Sequence, residues 1–127
     1  MGYAGDMRFE PADLALLAET VEVEIETARP DGPTHRTIVW VVVDGEDTFV
    51  RSVNGSAARW YREAISGPPV TIHVAGRRLR AMPVQATDPD SVKRTSDVLA
   101  RKYANDPDLP SMLEPEIFDT TLRLVPA

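Results

Sequence analysis

The sequence predicts a mainly β fold with added helices, in the α+β class, built as a small antiparallel barrel. Segments in which apolar and polar residues alternate recur along the chain, which is typical of strands with one buried face. Asp44-Gly45 lies between two apolar segments and predicts a tight hairpin, because glycine adopts without strain the positive φ angle that such turns need. The one long helical pattern comes late, and an order of hairpins followed by a helix favours a barrel.

Six strands and three helices are predicted in order. The uninterrupted apolar run 38–43 predicts a strand that is covered on both faces. Asp88 followed by Pro89 predicts the start of the longest helix, because these residues are common at the cap and first positions. The predicted strands cover 21–27, 36–43, 48–53, 69–75, 77–86 and 117–125, and the predicted helices cover 11–19, 57–65 and 89 to about 105.

The composition of the chain excludes several classes of function and partner. The 127 residues predict one domain, 1–127. The net charge of −6 argues against a nucleic-acid partner, because such proteins bind by neutralising phosphates. No apolar run approaches the roughly 20 residues that span a bilayer, and no signal pattern opens the chain. Together with the absence of cysteine, these features predict a cytoplasmic protein without a membrane partner.

The residues between the second predicted hairpin strand and the following helix suggest an anion site. Free backbone N–H groups at a helix start, beside an arginine, can bind a phosphate. The candidate residues are Arg51, Ser52, Asn54, Gly55 and Ser56, with Arg36 on the paired strand. An ordinary turn, with Ser56 as a cap and Arg51 in solvent, explains the same residues, and from the residues alone it is the preferred interpretation.

Aromatic and histidine residues complete the list of candidates. Trp60 could seal the barrel end, or it could lie against a flat ligand. The two roles could also be divided between different aromatic residues of this helix. Tyr61 and His73 are candidates for acid–base chemistry by residue type alone, so the catalytic residues stay unknown. His35 and His73 have no partner at metal-ligand spacing, so no metal site is predicted.

The central stretch resembles the flavin- and deazaflavin-binding split β-barrels, in particular the deazaflavin-dependent nitroreductase-like proteins and the branch known as domain of unknown function 2255. Arg36-Thr37 opens a strand that contains Trp40 and ends in the Asp-Gly hairpin. Further matching segments are Val50-Arg51-Ser52, Trp60-Tyr61-Arg62, the strand and turn 69–77, and the closing segment 122–126. The resemblance covers about residues 20–126.

The resemblance implies a six-stranded antiparallel split barrel of the FMN-binding type, often a homodimer, with a flat cofactor in a groove. FMN or the deazaflavin coenzyme F-420 would carry a hydride to a small organic substrate, which implies an oxidoreductase. It also changes the preferred interpretation of the Arg51 region to a phosphate site. The implied cofactor-binding residues are Arg36, Thr37, Arg51, Ser52, Asn54, Gly55, Ser56, Trp60 and Tyr61. Lys102 and Tyr103 could close over the site.

A second interpretation stays open, in which the barrel has no cofactor and binds a small molecule or only dimerises. Related nitroreductase-like proteins have a Gly-basic-basic-Ser-Gly turn before the second strand, whereas this chain has Arg29-Pro30-Asp31-Gly32-Pro33. Asp31 would repel a phosphate, and the two prolines remove backbone donors. FMN, deazaflavin and no cofactor are therefore all compatible with the sequence, as is a cofactor-free enzyme.

Overall fold

A computed structural model of the chain describes residues 8–127. The helices are α1 Pro11–Glu19, α2 Arg59–Ser66, α3 Pro89–Lys102 and α4 Leu109–Met112. The strands are β1 Val23–Ala28, β2 Thr34–Val39, β3 Val41–Asp44, β4 Asp47–Val50, β5 Val70–Val74, β6 Arg77–Gln85 and β7 Leu122–Pro126. Two short 3-10 helices, Gly55–Ala57 and Pro115–Thr120, precede α2 and β7.

The seven strands form one antiparallel sheet in the order β2-β1-β5-β6-β7-β4-β3. Its two edge strands, β2 and β3, are consecutive in the chain and are separated only by Trp40. A single residue cannot bridge a flat seven-stranded sheet, since neighbouring strands lie about 4.8 Å apart. The sheet therefore curls until its two edges meet at Trp40, which gives an open barrel with a split at that residue.

The main core fills the inside of the curled sheet. Val23 and Ile25 of β1 and Ile72 of β5 are buried there, as the alternating patterns predicted. Leu17 of α1 and Ala64 of α2 join the same core. A second cluster covers the outside of β3 and β4, where α3 packs on the sheet; it contains Val42, Phe49, Ala86, Val98, Leu99, Tyr103, Met112 and Ile117.

The structure corrects the predicted 36–43 strand and the strand count. Trp40 divides that segment into β2 and β3, so the sheet has seven strands rather than six. Burial on both faces holds for β3, where Val41 lies in the main core and Val42 under α3. Burial on both faces is wrong for Ile38, which is 60 % exposed because no other part of residues 8–127 covers the outer face of β2. The Asp-Gly hairpin is confirmed, with Gly45 at φ 63°.

Other element boundaries also differ from the prediction. The helix predicted to start near Ser56 begins at Arg59, after a 3-10 turn, and its cap residue Ala58 makes no side-chain hydrogen bond. The first part of the predicted 117–125 strand is the 3-10 helix Pro115–Thr120, because Pro115 fixes a helical φ at its start. Within residues 8–127, no helix is long and apolar enough to cross a membrane.

Candidate functional site

A cavity of about 360 Å³ opens at the split in the sheet. Its walls come from the segment before β1, the end of β2, the loop after β4, α2 and the α4 region, so five parts of the chain meet there. The lining residues are Glu22, Ile38, Val39, Trp40, Arg51, Val53, Trp60, Asp108, Ser111 and Met112. The wall combines apolar residues with charged and polar ones, and the volume lies within the range of small-molecule sites.

Two tryptophans form much of the apolar wall. Trp40 stacks on Tyr103, the residue that follows α3, with ring centroids 3.9 Å apart and an angle of 4° between the planes. The Tyr103 hydroxyl donates a 2.6 Å hydrogen bond to the carbonyl of Val21, which fixes the supporting ring. Trp60 is 7 % exposed and meets Tyr61 edge to face at 6.1 Å. Both indoles are thus held rigidly, as recognition of a flat ligand requires.

A buried cation lies in the same wall. The side chain of Arg51 is 2 % exposed, so the interpretation that placed it in solvent is wrong. Nε donates to Thr121 Oγ1 at 3.0 Å, and the terminal nitrogens donate to Ser96 Oγ at 3.0 Å and to the carbonyls of Met112 and Val92 at 3.1 Å each. Burial lowers the pKa of Arg51 to about 10, so the guanidinium is still charged at neutral pH.

The hydrogen-bond partners of the Arg51 guanidinium are all neutral groups. Arg51 forms no ion pair among residues 8–127, and all its hydrogen-bond acceptors are hydroxyl or carbonyl oxygens. Its guanidinium also lies over the ring of Phe118, 4.7 Å from the centroid. A buried charge without a counter-ion creates a positive potential in its surroundings. Arg51 therefore contributes positive potential to the wall of the adjoining cavity, which also carries the acids Glu22 and Asp108.

Of the predicted cofactor-binding residues, Arg51 and Trp60 line the cavity and the others do not. Arg36 lies on the outer face of β2, where it pairs with Glu24 at 3.4 Å and Glu26 at 3.7 Å. Thr37 pairs with Ile25 of β1 and is partly buried. The structure thus separates Arg36 from the Arg51 guanidinium, which is directed towards α3 and α4.

The segment after Arg51 forms a tight turn. Ser52 is fully buried; its N–H donates to Thr120 Oγ1 at 3.0 Å and its hydroxyl to the carbonyl of Gly55 at 2.8 Å. Gly55 has φ 74°, which explains the glycine at this position. Asn54 and Ser56 are exposed. The hydroxyl and N–H of Ser52 are therefore already engaged within the turn.

The candidate acid–base residues and the candidate lid residues do not line the cavity, although Tyr103 stacks on Trp40 of its wall. Tyr61 is buried and its hydroxyl donates to the carbonyl of Asp119 at 3.4 Å. His73 Nε2 lies 2.7 Å from Glu26 Oε1 on the outer sheet face, and this hydrogen bond lowers the pKa of Glu26. Lys102 Nζ donates to the carbonyls of Leu17 and Val41, and burial lowers its pKa to about 8.

Sequence reasoning missed most of the cavity wall. Trp40 belongs to a segment that carries the family resemblance but is not among the implied cofactor-binding residues, because an apolar run gives no sign of where the chain passes from one sheet edge to the other. Asp108, Ser111 and Met112 lie in a segment predicted as loop, and no local pattern relates them to β4. Within residues 8–127, no group of histidine and acidic residues could hold a metal ion.

Comparisons with solved structures show the fold. HutZ, the heme storage protein from Vibrio cholerae, superposes with a TM-score of 0.63 at 19 % identity, over 95 % of this chain and 92 % of that one. An F420 reductase gives 0.58 at 20 % identity, over 88 % and 89 % of the two chains. An FAD-binding protein from Mesorhizobium loti gives 0.55 at 15 % identity, over 93 % and 88 %. The predicted α+β split-barrel fold is thereby confirmed.

No protein of curated function matches the sequence. The profile of one family matches residues 13–124, which is most of the chain, and it confirms the resemblance stated from the sequence. This chain therefore belongs to the DUF2255 family, described as "Uncharacterized protein conserved in bacteria".

Proposed function

We propose that this protein binds a flavin-type cofactor, FMN or the deazaflavin coenzyme F-420, with the ring in the Trp40–Trp60 cavity. The observation that carries the proposal is the cavity at the barrel split, where two tryptophans adjoin a buried arginine that has no ion pair among residues 8–127. The likeness to an F420 reductase and to an FAD-binding protein supports the same ligand class. The histidines, which a heme would use as ligands, are absent from the cavity wall.

The cavity residues fit a flat, electron-rich ring. Ile38, Val39 and Met112 supply apolar contacts beside the tryptophans. The positive charge of Arg51 would favour electron density on a ring bound in this cavity. Glu22 and Asp108 lie at the cavity and are exposed, so these acids disfavour a phosphate at the same place.

The proposed activity is an oxidoreductase that acts on a small organic molecule. A bound flavin-type ring supplies the hydride chemistry, and the chain supplies binding, orientation and electrostatics. Trp40 and Trp60 would exclude water from a ring bound between the cavity walls, and Arg51 would contribute positive potential there. Of the groups predicted to handle protons, neither Tyr61 nor His73 lines the cavity, so we assign no general acid or base.

The cavity assignment predicts the effect of a single exposed residue. Ile38→Ser should weaken the binding of FMN or of the deazaflavin coenzyme about threefold to tenfold, because it removes apolar contact with the ring. Ile38 is exposed and lies outside the core, so the variant should fold normally. Calorimetric titration at a fixed salt concentration measures the dissociation constants.

Val84→Ser is the matched control, because Val84 is also an exposed β-branched residue of the sheet but does not line the cavity. It should bind as the wild type does. Equal affinities of the two variants would contradict the cavity assignment. Absence of saturable binding for both cofactors would favour the alternative, a split barrel without a cofactor that binds a different small molecule.

We also propose that the protein is a homodimer. Among residues 8–127, no helix covers the outer face of β1, β2, β5 and β6, and Met82 and Val84 of β6 expose apolar side chains there. Exposed apolar side chains on an uncovered sheet face favour a protein interface. Sedimentation equilibrium at micromolar concentration should give twice the 14.0 kDa mass of one chain. A mass of one chain up to 100 μM would exclude a dimer of useful stability.

A further inference from the structure

A second cleft lies between α2 and the β1–β2 turn. It is distinct from the Trp40–Trp60 cavity, which we call the tryptophan cavity. The second cleft has a volume of about 430 Å³ and shares no lining residue with the tryptophan cavity. We name it the basic cleft, after its residues Arg29, His35, Arg59, Arg62, Glu63 and Ser66. Arg29 comes from the turn, His35 from β2 and the remaining four from one side of α2.

The arginines of the basic cleft have no carboxylate partners. Arg29, Arg59 and Arg62 are exposed, and none of them forms an ion pair with a residue in the range 8–127. Arg59 and Arg62 are three residues apart on α2, so their side chains are neighbours on the helix surface. Cations that line one cleft repel one another, and in a chain with a net charge of −6 the presence of three arginines in one cleft is a distinct feature.

The one acid of the cleft is buried and engaged. Glu63 is 5 % exposed, and its Oε1 accepts a 2.8 Å hydrogen bond from the hydroxyl of Thr27. The same oxygen lies 3.4 Å from His35 Nδ1, a buried atom that makes no hydrogen bond within the described chain. Glu63 therefore cancels at most one of the three arginine charges, and the cleft keeps a net positive charge.

The close approach of α2 to β1 gathers these residues. Gly67, at the end of α2, passes so near the backbone of Ala28 that a side chain at this position would collide with the Ala28 carbonyl oxygen. This contact places the last turn of the helix beside Arg29. The shape of the cleft is thus set by backbone packing, whereas its arginine side chains are free to converge on a ligand.

We propose that the basic cleft binds a phosphate-type oxyanion through Arg29, Arg59 and Arg62. Guanidinium groups match the oxygens of a phosphate with paired, charge-assisted hydrogen bonds, and three of them can surround a dianion. The arginine side chains would replace the backbone hydrogen-bond donors that the two prolines remove from the Pro30-Asp31-Gly32-Pro33 turn. The inference does not depend on the proposed function.

The oxyanion can come from two sources, a free anion or the phosphate end of the ligand whose ring occupies the tryptophan cavity. β2 contributes to both places, His35 to the cleft and Val39 to the cavity. Four residues along a strand span roughly 13 Å. A linker several bonds long can cover such a distance, so both sources are geometrically reasonable.

Nuclear magnetic resonance with inorganic phosphate tests the cleft. Titration at constant ionic strength should produce saturable shifts of the Arg59 and Arg62 side-chain Nε–H signals. The double variant Arg59→Gln/Arg62→Gln should bind phosphate at least tenfold more weakly. The control Arg80→Gln/Arg101→Gln removes the same charge from two exposed arginines outside the cleft and should bind as the wild type does.

Comparison of FMN with riboflavin, which lacks the phosphate, separates the two sources. If the phosphate is part of the ring ligand, FMN binds at least tenfold more tightly than riboflavin, and Arg59→Gln/Arg62→Gln removes this advantage. If the anion is free, phosphate binds while FMN and riboflavin have equal affinities. Two results would overturn the proposal. The first is that phosphate causes no saturable shifts and that FMN and riboflavin bind equally tightly. The second is that the two double variants bind phosphate equally tightly. Riboflavin binding alone reports on the tryptophan cavity.

Discussion

Arg51→Ala is expected to lower the free energy of unfolding by about 3–5 kcal/mol, the range seen when a buried charged network loses a member. Arg51 is 2 % exposed and donates four hydrogen bonds, which connect the end of β4 to α3, α4 and the segment before β7. Alanine would leave the carbonyls of Val92 and Met112 without these donors and would create a cavity. Urea denaturation followed by circular dichroism measures the loss.

The control for this prediction is Arg36→Ala. Arg36 is exposed, and its contacts to Glu24 and Glu26 are 3.4 and 3.7 Å long, so its removal should cost less than about 1 kcal/mol. Arg51→Met, which fills much of the space without the charge, should lie between wild type and Arg51→Ala. A loss below 1 kcal/mol for Arg51→Ala would contradict the structural role of this side chain.

Gly67→Ala is expected to cost about 2–3 kcal/mol, because overpacking against rigid backbone forces the elements apart. A β-carbon at position 67 would collide with the carbonyl oxygen of Ala28 and would lie 2.6 Å from that of Glu63. Neither atom can move without disturbing β1 or α2. The backbone at Gly67 is extended, with φ −98°, so the cost comes from contact and not from the dihedral angle.

Gly32→Ala provides the comparison, since the nearest atom to its added β-carbon, the β-carbon of Arg29, would be at an ordinary 3.5 Å. This variant should stay within about 0.5 kcal/mol of wild type in the same urea denaturation experiment. If the two glycine variants were equally stable, the close contact between α2 and β1 would be wrong, and with it the geometry of the basic cleft.

Local patterns were sufficient for most of the fold. The alternation in 69–75 and the Asp44-Gly45 turn reflect interactions between near neighbours, and the structure places β5 and the β3–β4 hairpin there. The break at Trp40 was not predictable, because an apolar run looks the same whether it continues in one strand or turns from one sheet edge to the other. The predicted count of six strands was wrong for this reason.

The candidate site was harder to predict because its parts are far apart in sequence. Arginine usually lies in solvent, and the groups that keep Arg51 buried are 41 to 70 residues later in the chain. Trp60 could be assigned from its place in a short helix, whereas the contribution of Met112 depends on how α4 folds back over the split. The arginines of the basic cleft likewise meet only because α2 packs against β1.

Tryptophan fluorescence during titration with FMN or the deazaflavin coenzyme is the most direct test of the central claim. Trp40 and Trp60 are the only tryptophans in the chain, and both line the cavity. Bound ligand should quench their emission saturably, with the same dissociation constant that calorimetry gives. Calorimetric binding of either cofactor with unchanged tryptophan emission would place the ligand elsewhere, and would contradict the cavity as the cofactor site.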